Sequence, residues 1–556
     1  MTGSPTSTGR FAFPLFDVLN GLEQLPYETT SAALAGGQIR VVSTTALRLD
    51  RLFDIFPESY WRRYTSLTEV AFTGKLTGTA RIEIRRRNAL NREEQVLAEI
   101  DCEGEARGIE IPIVLQQPRS DEDASYLIAV LHLAPGTELN DLRWSAAVAP
   151  TREVRLAGVI CAFSQEDMLA QNLSRIAASP AYLHRLFVIN QGPPGLAERI
   201  IQGDSSQTPV TVIDQPNFGG AGGFTRGIIE SLDDPHITHI LLMDDDIVAQ
   251  PTLLARLTAV LSYVGERHSI GGAMLDIHAP SKLFTCGDRL NPERPAIINV
   301  APPEGFDDIT SDVGRDFVAR PHRLDFNGWW CFAFPVAAVR QCGLPLPLFI
   351  RGDDVEFGFR LSRAGFPTIG WPGVAVWHLP FASKVQPWQA FYDRRNMLFL
   401  CEVHGHYSRR RLARSAWGSF TNAIRAGDHA RARAIVAGLE AFNEGAPQLA
   451  NWSGEDHSEL LRQAQNTRLS VLQGWYSIIA LSFRALSAIA TLRWRREFDP
   501  DGIARLSGAE FWRGYLSMSS DKNPPSHDKG FASHPDDGIA PYRQIQSTSV
   551  KSCDPT

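Results

Sequence analysis

The sequence has no Cys-x-x-Cys pair, and its seven cysteines are scattered singly along 556 residues. A disulfide framework normally needs an even number of cysteines, and a structural zinc site needs closely spaced pairs of ligands. The cysteine pattern therefore argues against a disulfide-stapled scaffold and against a structural zinc domain. It indicates a protein of a reducing compartment, and we expect a cytoplasmic localisation.

The sequence also lacks an excess of basic residues, since its formal net charge is -7 and its pI is near 6.1. Domains that bind nucleic acid usually carry a basic patch and a high pI, so no nucleic-acid partner is expected. Hydrophobic residues make up 44% and charged residues 21% of the chain, which is the balance of a globular protein. The length allows roughly three or four domains.

A run of about 20 apolar residues, the length that crosses a bilayer as a helix, is missing too. The polar segment Met1–Arg10 has no apolar stretch behind a basic one, so no secretory signal is predicted there. The most apolar helical candidate, Trp475–Leu492, is divided by Arg484. We expect an amphipathic helix that either packs on the protein or lies on a membrane surface with its aromatic ends near the headgroups.

Apolar periodicity and turn residues divide the sequence into four predicted regions. Short alternating runs separated by Gly, Asn and Pro predict a β-sandwich over residues 1–150. Strands and helices then alternate over residues 151–390, which predicts an α/β domain with a mainly parallel sheet. Residues 391–518 show helical spacing. Residues 519–556 are rich in Ser, Pro, Asp and Gly, and we predict a disordered tail.

An apolar run that ends in three aspartates, His239–Ile247, is the most informative motif. In an extended segment, alternation places Asp244 and Asp246 on one side and Asp245 on the other. Two carboxylates at the end of a buried strand form a hard oxygen site, which suits Mg²⁺ or Mn²⁺ carrying a diphosphate. A solvated acidic turn is the alternative. Ligands collect at the carboxyl ends of strands in such sheets, which favours the metal site.

A glycine-rich segment, Gln215–Gly227, follows a predicted strand and opens a predicted helix. Its glycines, among them Gly219 and Gly220, let the backbone approach a ligand, and the free N–H groups of the helix start suit an anion. The segment fits neither the G-x-G-x-x-G frame of dinucleotide binders nor the P-loop with its lysine. Because an acidic motif follows downstream, we predict a contact with a nucleotide sugar; a flexible turn is the alternative.

Two adjacent tryptophans, Trp329 and Trp330, lie beside a glycine in the segment Phe326–Phe334. A flat aromatic ring suits the C–H face of a sugar, and the indole N–H adds a directed donor. Core packing is the alternative for each of them. Neighbouring residues of a regular strand face opposite ways, so we expect at most one of the two to face a cleft.

Acidic residues open a predicted helix within Phe349–Arg360, where Asp353, Asp354 and Glu356 stand close together. Such acids can simply complement the helix dipole. A sugar transfer with inversion, however, needs one carboxylate to accept the proton of the attacking hydroxyl. We select Asp354 as this base, and Asp353 or Glu356 as a ligand of acceptor hydroxyl groups.

A strand-like run that begins at Gly373 ends in His378, soon after this acidic cluster. An imidazole at the end of a strand can complete a metal site formed by Asp244 and Asp246. A surface or core histidine with an ordinary hydrogen bond is the alternative. We predict the ligand role, which makes these two aspartates and His378 the expected metal ligands.

In chain order, these motifs resemble those of the GT-A glycosyltransferases, in particular the bacterial galactofuranosyltransferases that polymerise mycobacterial cell-wall galactan. The ordered set covers most of residues 50–500. A further segment near the N-terminus, Phe56–Arg63, resembles the one that precedes the β-sandwich of that family. The segments that carry the main resemblance are Asn217–Phe224, Asn327–Trp330, Asp353-Asp354, Trp377–Pro380 and Trp388–Asn396.

The resemblance implies an α/β fold class with an N-terminal β-sandwich, a central GT-A domain that binds a nucleotide sugar, and C-terminal helices. It implies a UDP-galactofuranose donor, a bound Mn²⁺ or Mg²⁺ ion, a lipid-linked glycan acceptor and inversion at the anomeric carbon. Members of the family assemble as homo-oligomers at the cytoplasmic face of the membrane. Homo-oligomerisation and a peripheral membrane contact are therefore expected as well.

The resemblance also implies roles for individual residues. Asp354 matches the catalytic base, the three predicted metal ligands match the metal site, and the two tryptophans match the acceptor wall. Asn190–Gly192 resembles the Asp-Gln-Gly of the family, with asparagine in place of aspartate. The expected substrate-binding residues are Asn190, Gln191, Asn217, Gly219, Gly220, Asp245, Trp329, Trp330, Asp353 and Glu356.

One position departs from the family pattern. Relatives often end the first strand of the central domain in Phe-Asn-Arg, whose arginine meets the nucleotide, whereas this sequence has Phe-Ser-Gln-Glu at Phe163–Glu166. The donor therefore stays open, and UDP-glucose and dTDP-rhamnose are alternatives on the same fold. A non-catalytic carbohydrate-binding protein is the alternative from another class, and the intact acidic residues argue against it.

Overall fold

The structure is a computed structural model that describes residues 10–19, 31–35, 38–118, 120, 123–178, 182–200, 208–379, 386–465, 471–494 and 504–517. The chain divides into two compact units, residues 1–518 and 519–556. The tail predicted to be disordered, 519–556, lies outside the described residues. Because residues 1–518 form a single unit, the boundaries placed at residues 150 and 390 stay predictions.

The N-terminal part is an antiparallel sheet of eight strands. The strands are β1 (Phe13–Asp17), β2 (Ala32–Ala35), β3 (Gln38–Val41), β4 (Thr45–Leu49), β5 (Glu69–Asn88), β6 (Glu94–Val114), β7 (Ser125–Leu133) and β8 (Glu138–Ala146). Helix α1 (Glu58–Tyr64) connects β4 to β5. The strand order is β2-β3-β8-β5-β7-β4, with β1 paired to β8 and β6 paired to β5.

The long strand β5 folds this sheet over on itself. Residues 70–77 pair with β8, whereas residues 80–88 pair with β7. Gly78 lies between the two halves with a φ of 108°, and a Cβ there would come within 2.8 Å of the Thr137 Cα. Side chains from both halves meet in one hydrophobic cluster. This arrangement confirms the predicted β-sandwich.

The central part alternates strands with helices. Its strands are β9 (Leu156–Ala162), β10 (Leu183–Asn190), β11 (Val210–Asp214), β12 (His239–Asp244), β13 (Ile247–Ala249), β14 (Ser269–Asp276), β15 (Leu283–Thr285), β16 (Asp288–Leu290), β17 (Ile297–Asn299), β18 (Phe332–Pro335) and β19 (Thr368–His378). Its helices are α2 (Glu166–Ala178), α3 (Leu196–Ile200), α4 (Gly219–Leu232), α5 (Leu253–Tyr263), α6 (Asp312–Val318), α7 (Val336–Cys342) and α8 (Asp353–Arg363).

Strand direction brings several motifs to one edge of the nine-stranded central sheet, whose order is β11-β10-β9-β12-β18-β14-β19-β13 with β15 on β14. Strands β11, β10, β9 and β12 are parallel neighbours. The antiparallel strand β18 joins β12 to β14, and β14 is parallel to β19. Six strands therefore run in one direction, which confirms a mainly parallel sheet. Their carboxyl ends share one edge, where Asn190, Asp244 and His378 lie.

The C-terminal part is helical, as predicted. Its helices are α9 (Gln389–His404), α10 (Arg409–Arg425), α11 (His429–Glu444), α12 (Ala446–Ala450), α13 (Gly454–Gln465), α14 (Val471–Trp494) and α15 (Ala509–Ser517). None of the helices within the described ranges is long and apolar enough to cross a membrane. The helices share a hydrophobic cluster with Leu348, Phe349 and Val355, which border the start of α8.

Helix α14 contains the segment predicted to be amphipathic. One face packs in the helical cluster and consists of Leu481, Ala485, Ala488 and Leu492. The opposite face exposes 55% of Ile479, 69% of Phe483 and 50% of Leu486. We call these three residues the α14 stripe. The aromatic side chains at the start of the segment, Trp475 and Tyr476, lie outside the described side chains.

The last helix, α15, packs back on the central domain. Trp512 Nε1 donates to the Pro345 carbonyl at 2.8 Å. The ring of Tyr515 lies 5.0 Å from the ring of Phe218, measured between centroids. Phe218 directly precedes α4, so the end of the described chain supports the start of the glycine-rich helix.

A buried ion pair joins the N-terminal sheet to α6. The Arg87 guanidinium donates to Asp316 Oδ1 at 2.9 Å and to Oδ2 at 3.0 Å, and the Tyr126 hydroxyl donates to Oδ1 at 2.9 Å. Arg87 is only 5% exposed and Asp316 only 1%. Buried charges are tolerated when they are paired and hydrogen-bonded, so this contact fixes the N-terminal sheet against the central part.

Candidate active site

The three predicted metal ligands meet at the carboxyl edge of the central sheet. Asp244 ends β12, Asp246 lies in the turn that follows, and His378 ends β19. One ligand atom of each residue lies within 4.8 Å of the others. His378 Nε2 is 3.4 Å from Asp244 Oδ2 and 3.0 Å from Asp246 Oδ1. The structure thus brings these three residues together.

This set of donor atoms fits a hard divalent ion. Carboxylate oxygens suit Mg²⁺ and Mn²⁺, and a neutral imidazole is a common metal ligand. His378 Nδ1 donates to the Leu379 carbonyl at 2.6 Å, which leaves Nε2 as the nitrogen that faces the carboxylates. Burial lowers the pKa of His378, but its hydrogen bonds to Asp244 and Asp246 and their charges outweigh burial and raise that pKa to about 10. The cluster therefore favours a positive charge.

Asp245 makes a different contact from its two neighbours. Its Oδ2 accepts a hydrogen bond from the Phe163 backbone N–H at 2.7 Å, which ties the end of β12 to the end of β9. Phe163 begins the segment that departs from the family pattern. Glu166, at the other end of that segment, pairs with Arg199 at 2.8 Å. A substrate-binding role of Asp245 stays a prediction.

The start of α4 borders the acidic residues at the start of α8. Gly219 has a φ of 68°, and a Cβ there would overlap the carbonyl oxygen of Phe349. Asn217 Oδ1 accepts from the Gly219 N–H at 2.8 Å. A Cβ on Gly220 would come within 3.1 Å of Asp353 Oδ2. Glycine is therefore required at position 219 by both backbone conformation and close approach.

Asn190 and Gln191 hold the glycine-rich segment in place from the neighbouring strand end. Gln191 Nε2 donates to the Gly219 carbonyl at 2.8 Å, and its Oε1 accepts from the Phe218 N–H at 2.8 Å. Asn190 Nδ2 donates to Asp214 Oδ1 at 2.6 Å. Both side chains are buried. Their direct contact with substrate stays a prediction, because the structure shows them bonded to the protein.

The acidic pair Asp353-Asp354 begins α8, as predicted. Burial raises the pKa of Asp353 well above its usual value, and the neighbouring charge of Asp354 raises it further. Burial also raises the pKa of Asp354 to about 6; the Val355 N–H opposes this effect, and the charge of Asp244 adds to it. Asp354 is therefore largely ionised at neutral pH, yet it is a stronger base than an exposed aspartate.

Asp288 belongs to the same acidic region, although sequence reasoning did not select it. It lies buried on β16, and Thr285 Oγ1 donates to its Oδ1 at 3.1 Å. Burial raises its pKa to about 7; the Thr285 bond opposes this effect, and the charge of Asp354 adds to it. A single aspartate at the start of a three-residue strand has no periodic signal. The sequence therefore offered no pattern by which to find it.

Glu356 is engaged with other side chains of the protein. It is fully buried, and its carboxylate accepts from Arg360 Nε at 3.0 Å and lies 3.1 Å from His404 Nε2. Burial raises its pKa, but the charges of Arg360 and His404 and their hydrogen bonds outweigh burial and lower it to about 2. A contact between Glu356 and acceptor hydroxyl groups stays a prediction, and it would require these bonds to break.

Both tryptophans are buried in the turn that precedes β18. Trp329 is 4% exposed and packs edge-on against Phe224 and Phe357, with centroid distances of 5.1 and 6.2 Å. Its Nε1 has no hydrogen-bond partner among the described residues. Trp330 is 5% exposed and donates from Nε1 to the Gly272 carbonyl at 2.9 Å. Neither ring presents an open face, and the acceptor wall stays a prediction.

Known protein families match two stretches of the chain. The family described as Galactofuranosyltransferase 2 N-terminal matches residues 26–126, and the Glycosyltransferase like family 2 matches residues 154–397. Galactofuranosyltransferase GlfT2 of Mycolicibacterium smegmatis is 31% identical over 373 residues. The chain is related to the galactofuranosyltransferases. This finding confirms the resemblance, the glycosyltransferase character of the central domain and the predicted fold class.

Other relatives agree with this assignment. GlfT2 of Mycobacterium tuberculosis is 28% identical over 382 residues, and GlfT1 of the same organism is 29% identical over 215 residues. The GlfT2 matches cover 63% of this chain and 57% of each relative. The GlfT1 match covers 38% of this chain and 65% of the relative. This chain thus spans little more than half the length of the GlfT2 proteins.

Two solved structures also match part of the chain. A mannosyltransferase from Pyrobaculum calidifontis, PcManGT in complex with GDP-Man and Mn²⁺, is 14% identical with a TM-score of 0.31. That match covers 63% of this chain and 90% of the other. Residues 1–349 of TarS from S. aureus are 12% identical with a TM-score of 0.32, covering 65% and 92%. Such low TM-scores add nothing to the assignment.

The geometry of the acidic cluster predicts the behaviour of Asp246→Ala. We expect the variant to bind Mn²⁺ at least about 10-fold more weakly, because it loses a carboxylate ligand from a three-residue set. Mn²⁺ binding is measured by electron paramagnetic resonance, and folding by thermal melting. Asp233→Ala, at an exposed carboxylate paired with Arg513, is the matched control and should bind normally. Unchanged Mn²⁺ affinity in Asp246→Ala would contradict the metal site.

Proposed function

We propose that the protein is a metal-dependent, inverting glycosyltransferase that moves galactofuranose from UDP-galactofuranose to a lipid-linked glycan acceptor. The observation that carries this proposal is the meeting of the Asp244, Asp246 and His378 cluster with the start of α4 and the start of α8 at one sheet edge. Similarity to the galactofuranosyltransferases supports the choice of sugar. A role in cell-wall or surface polysaccharide synthesis would follow from it.

The donor side of the proposal rests on the strand-end cluster and on α4. Asp244, Asp246 and His378 would hold Mn²⁺ or Mg²⁺. Such an ion, when bound, neutralises charge on the leaving diphosphate. The N–H groups of Gly219 and Ala221 at the start of α4 donate to Asn217 Oδ1 and to the Phe349 carbonyl, so the helix start would act on a phosphate oxygen through its dipole. These groups would stabilise the charge that develops as the bond to the sugar breaks.

Asp354 would act on the acceptor side. One of its carboxylate oxygens takes the proton of the acceptor hydroxyl while the hydroxyl oxygen bonds to the anomeric carbon. The bond from that carbon to the diphosphate breaks on the opposite face, so the configuration inverts. The pKa of about 6 keeps Asp354 ionised at neutral pH and makes it an effective base. Asp353 and Asp288 stand beside it and would bind acceptor hydroxyl groups.

The main alternative functions differ in the donor sugar or in the class of protein. The Phe-Ser-Gln-Glu segment lacks the arginine that meets the nucleotide in relatives, which leaves UDP-glucose and dTDP-rhamnose as alternative donors. A non-catalytic carbohydrate-binding protein would not need a strand-end metal cluster beside a buried acidic pair. The conjunction of Asp244, Asp246, His378 and Asp354 therefore favours an enzyme.

We further propose that the protein works as a homo-oligomer at the cytoplasmic face of the membrane, where a lipid-linked acceptor would be met. The α14 stripe exposes three large apolar side chains. Helix α10 packs against α14 and exposes Arg410, Arg411 and Arg414. Apolar and cationic side chains on neighbouring helices suit a surface of anionic lipid. These side chains support the peripheral membrane contact, not the oligomeric state.

A donor panel tests the proposed reaction. The full chain is incubated with a galactofuranosyl lipid acceptor and UDP-galactofuranose, UDP-glucose or dTDP-rhamnose, with Mn²⁺ or with chelator, and products are identified by mass. We expect one added hexose or more from UDP-galactofuranose, and none with chelator. A product from another donor would overturn the sugar assignment. The absence of both transfer and donor hydrolysis with every donor would favour the carbohydrate-binding alternative.

The base assignment predicts the behaviour of Asp354→Asn. We expect kcat to fall by about 10²-fold or more, because a positioned base typically contributes 10²–10⁴-fold, while binding of UDP and Mn²⁺ persists. In the unmodified protein, kcat should decrease as pH falls through about 6, where Asp354 becomes protonated. Asp101→Asn, at an exposed site on β6, is the control. Normal kcat in Asp354→Asn would move the search for the base to Asp353 or Glu356.

The α14 stripe predicts binding to anionic vesicles. We expect the triple variant Ile479→Ser, Phe483→Ser, Leu486→Ser to bind vesicles of anionic lipid several-fold more weakly, because it loses apolar area at the interface, with donor hydrolysis unchanged. Co-sedimentation measures binding. The control replaces Val42, Val114 and Val148, which are exposed apolar residues of the N-terminal part, by Ser. Equal binding of both variants and the parent protein would place the membrane contact elsewhere or remove it.

A further inference from the structure

The turn that leads into α8 has an unusual backbone. Phe349 has a φ of 71°, Arg351 of 66° and Gly352 of 94°. Residues other than glycine rarely adopt this left-handed backbone conformation, and it persists only where surrounding contacts fix it. The turn, residues 348–352, lies directly before Asp353 and Asp354. Its conformation therefore sets where the acidic pair stands.

A carboxamide from the C-terminal helices fixes this turn. Asn396 on α9 is 1% exposed, and the two hydrogens of its Nδ2 are shared among three carbonyl oxygens of the turn. The acceptors are the carbonyl oxygens of Leu348 at 3.1 Å, Ile350 at 2.9 Å and Arg351 at 2.7 Å. Asn396 Oδ1 accepts from Arg395 Nε at 2.9 Å, so the carboxamide is held in one orientation. A shorter or apolar side chain cannot reproduce these bonds.

Arg395 and the aromatic residues around it support the same turn. The Arg395 guanidinium donates to the Leu348 carbonyl at 2.7 Å and lies 4.9 Å from the centre of the Trp452 ring. The Phe349 ring stacks on Tyr392 of α9 at 5.7 Å. The Tyr392 hydroxyl lies 3.0 Å from Nδ1 of His457 on α13. Side chains from two C-terminal helices thus hold the turn from behind.

The other side of the turn contacts the donor side of the site. The Phe349 carbonyl accepts from the Ala221 N–H at 3.0 Å, near the start of α4. Gly219 allows this approach, since a Cβ would overlap the same carbonyl. The turn is therefore held between the glycine-rich helix and the C-terminal helices. A change in its position would displace the acidic pair relative to α4.

We propose that Asn396 is a positioning residue for sugar transfer: its carboxamide fixes the turn 348–352, with Phe349, Arg351 and Gly352 left-handed, in the conformation that aims Asp354 at the acceptor hydroxyl. The inference rests on the proposed function, because it assigns Asn396 a role that acts through the base. Asn396 touches neither substrate nor metal in this scheme. Its loss should lower kcat by misplacing Asp354, since small displacements of reacting groups are costly for rate.

A double-mutant cycle tests this role. The variants are Asn396→Ala, Asp354→Asn and the two combined, assayed for transfer with UDP-galactofuranose and for binding of UDP and Mn²⁺. We expect Asn396→Ala to lower kcat by about 10²-fold, with the donor KM and the binding constants within about twofold. In the Asp354→Asn background, the same substitution should change the residual kcat by less than about twofold, because the group it positions is already lost.

Asn443→Ala is the matched control. Asn443 on α11 also donates from Nδ2 to a backbone carbonyl, that of Ala488 at 3.0 Å, which belongs to α14 and not to the turn. It should leave kcat within about twofold of the unmodified protein. If Asn396→Ala does not give a cooperative melt, Asn396→Ser, which keeps one hydroxyl donor, takes its place in the cycle and should show a smaller loss with the same non-additivity.

The outcomes separate this inference from the proposed function. If Asn396→Ala lowered kcat by the same factor in the unmodified protein and in Asp354→Asn, its role would be merely structural and the inference would be overturned. An unchanged kcat in Asn396→Ala would overturn it as well. Normal kcat in Asp354→Asn would overturn the base assignment, and the positioning role would fall with it. A large loss in Asp354→Asn together with no loss in Asn396→Ala would leave the proposed function standing and refute the role of Asn396 alone.

Discussion

Repulsion among carboxylates is the constraint on which the rest of the central domain depends. Acids from β12, from α8 and from β16 meet in a partly buried region, where like charges interact more strongly than in water. Burial raises the pKa values of Asp288, Asp353 and Asp354, and repulsion from neighbouring carboxylates raises them further. The carboxylates of Asp244 and Asp246 raise the pKa of His378 against the effect of its burial, because they stabilise its charged form. The site is therefore built to receive positive charge.

The fold holds these groups together by securing each one at the end of a rigid element. β12 lies between β9 and β18, and Asp244 at its end is paired with Cys161 of β9. The acids of α8 follow a turn that Asn396 fixes, and they stand at a helix start, where negative charge is favourable. Glu356, one turn further along, is withdrawn from the repulsion by Arg360 and His404.

The features of the site that depend on local sequence pattern could be predicted. Asp244, Asp246 and His378 stand at strand ends that hydrophobic runs reveal, and parallel strands must bring such ends to one edge. The backbone conformation at Arg351 could not be predicted from the sequence, because the left-handed conformation opposes the residue's own preference and is imposed by distant contacts. The burial of the two tryptophans was left open for a similar reason: aromatic residues serve cores and sugar sites equally well.

The return of α15 to the central domain bears on how the protein is made. Phe218 precedes the glycine-rich helix by one residue, yet its ring partner Tyr515 is near the end of the described chain. On a ribosome, the sheet and α4 would emerge long before Trp512 and Tyr515 could cover them. Domains fold largely as they are synthesised, so the face of α4 that α15 covers would stay exposed until α15 has been made. The donor side of the site is thus completed only after the C-terminal helices have been synthesised.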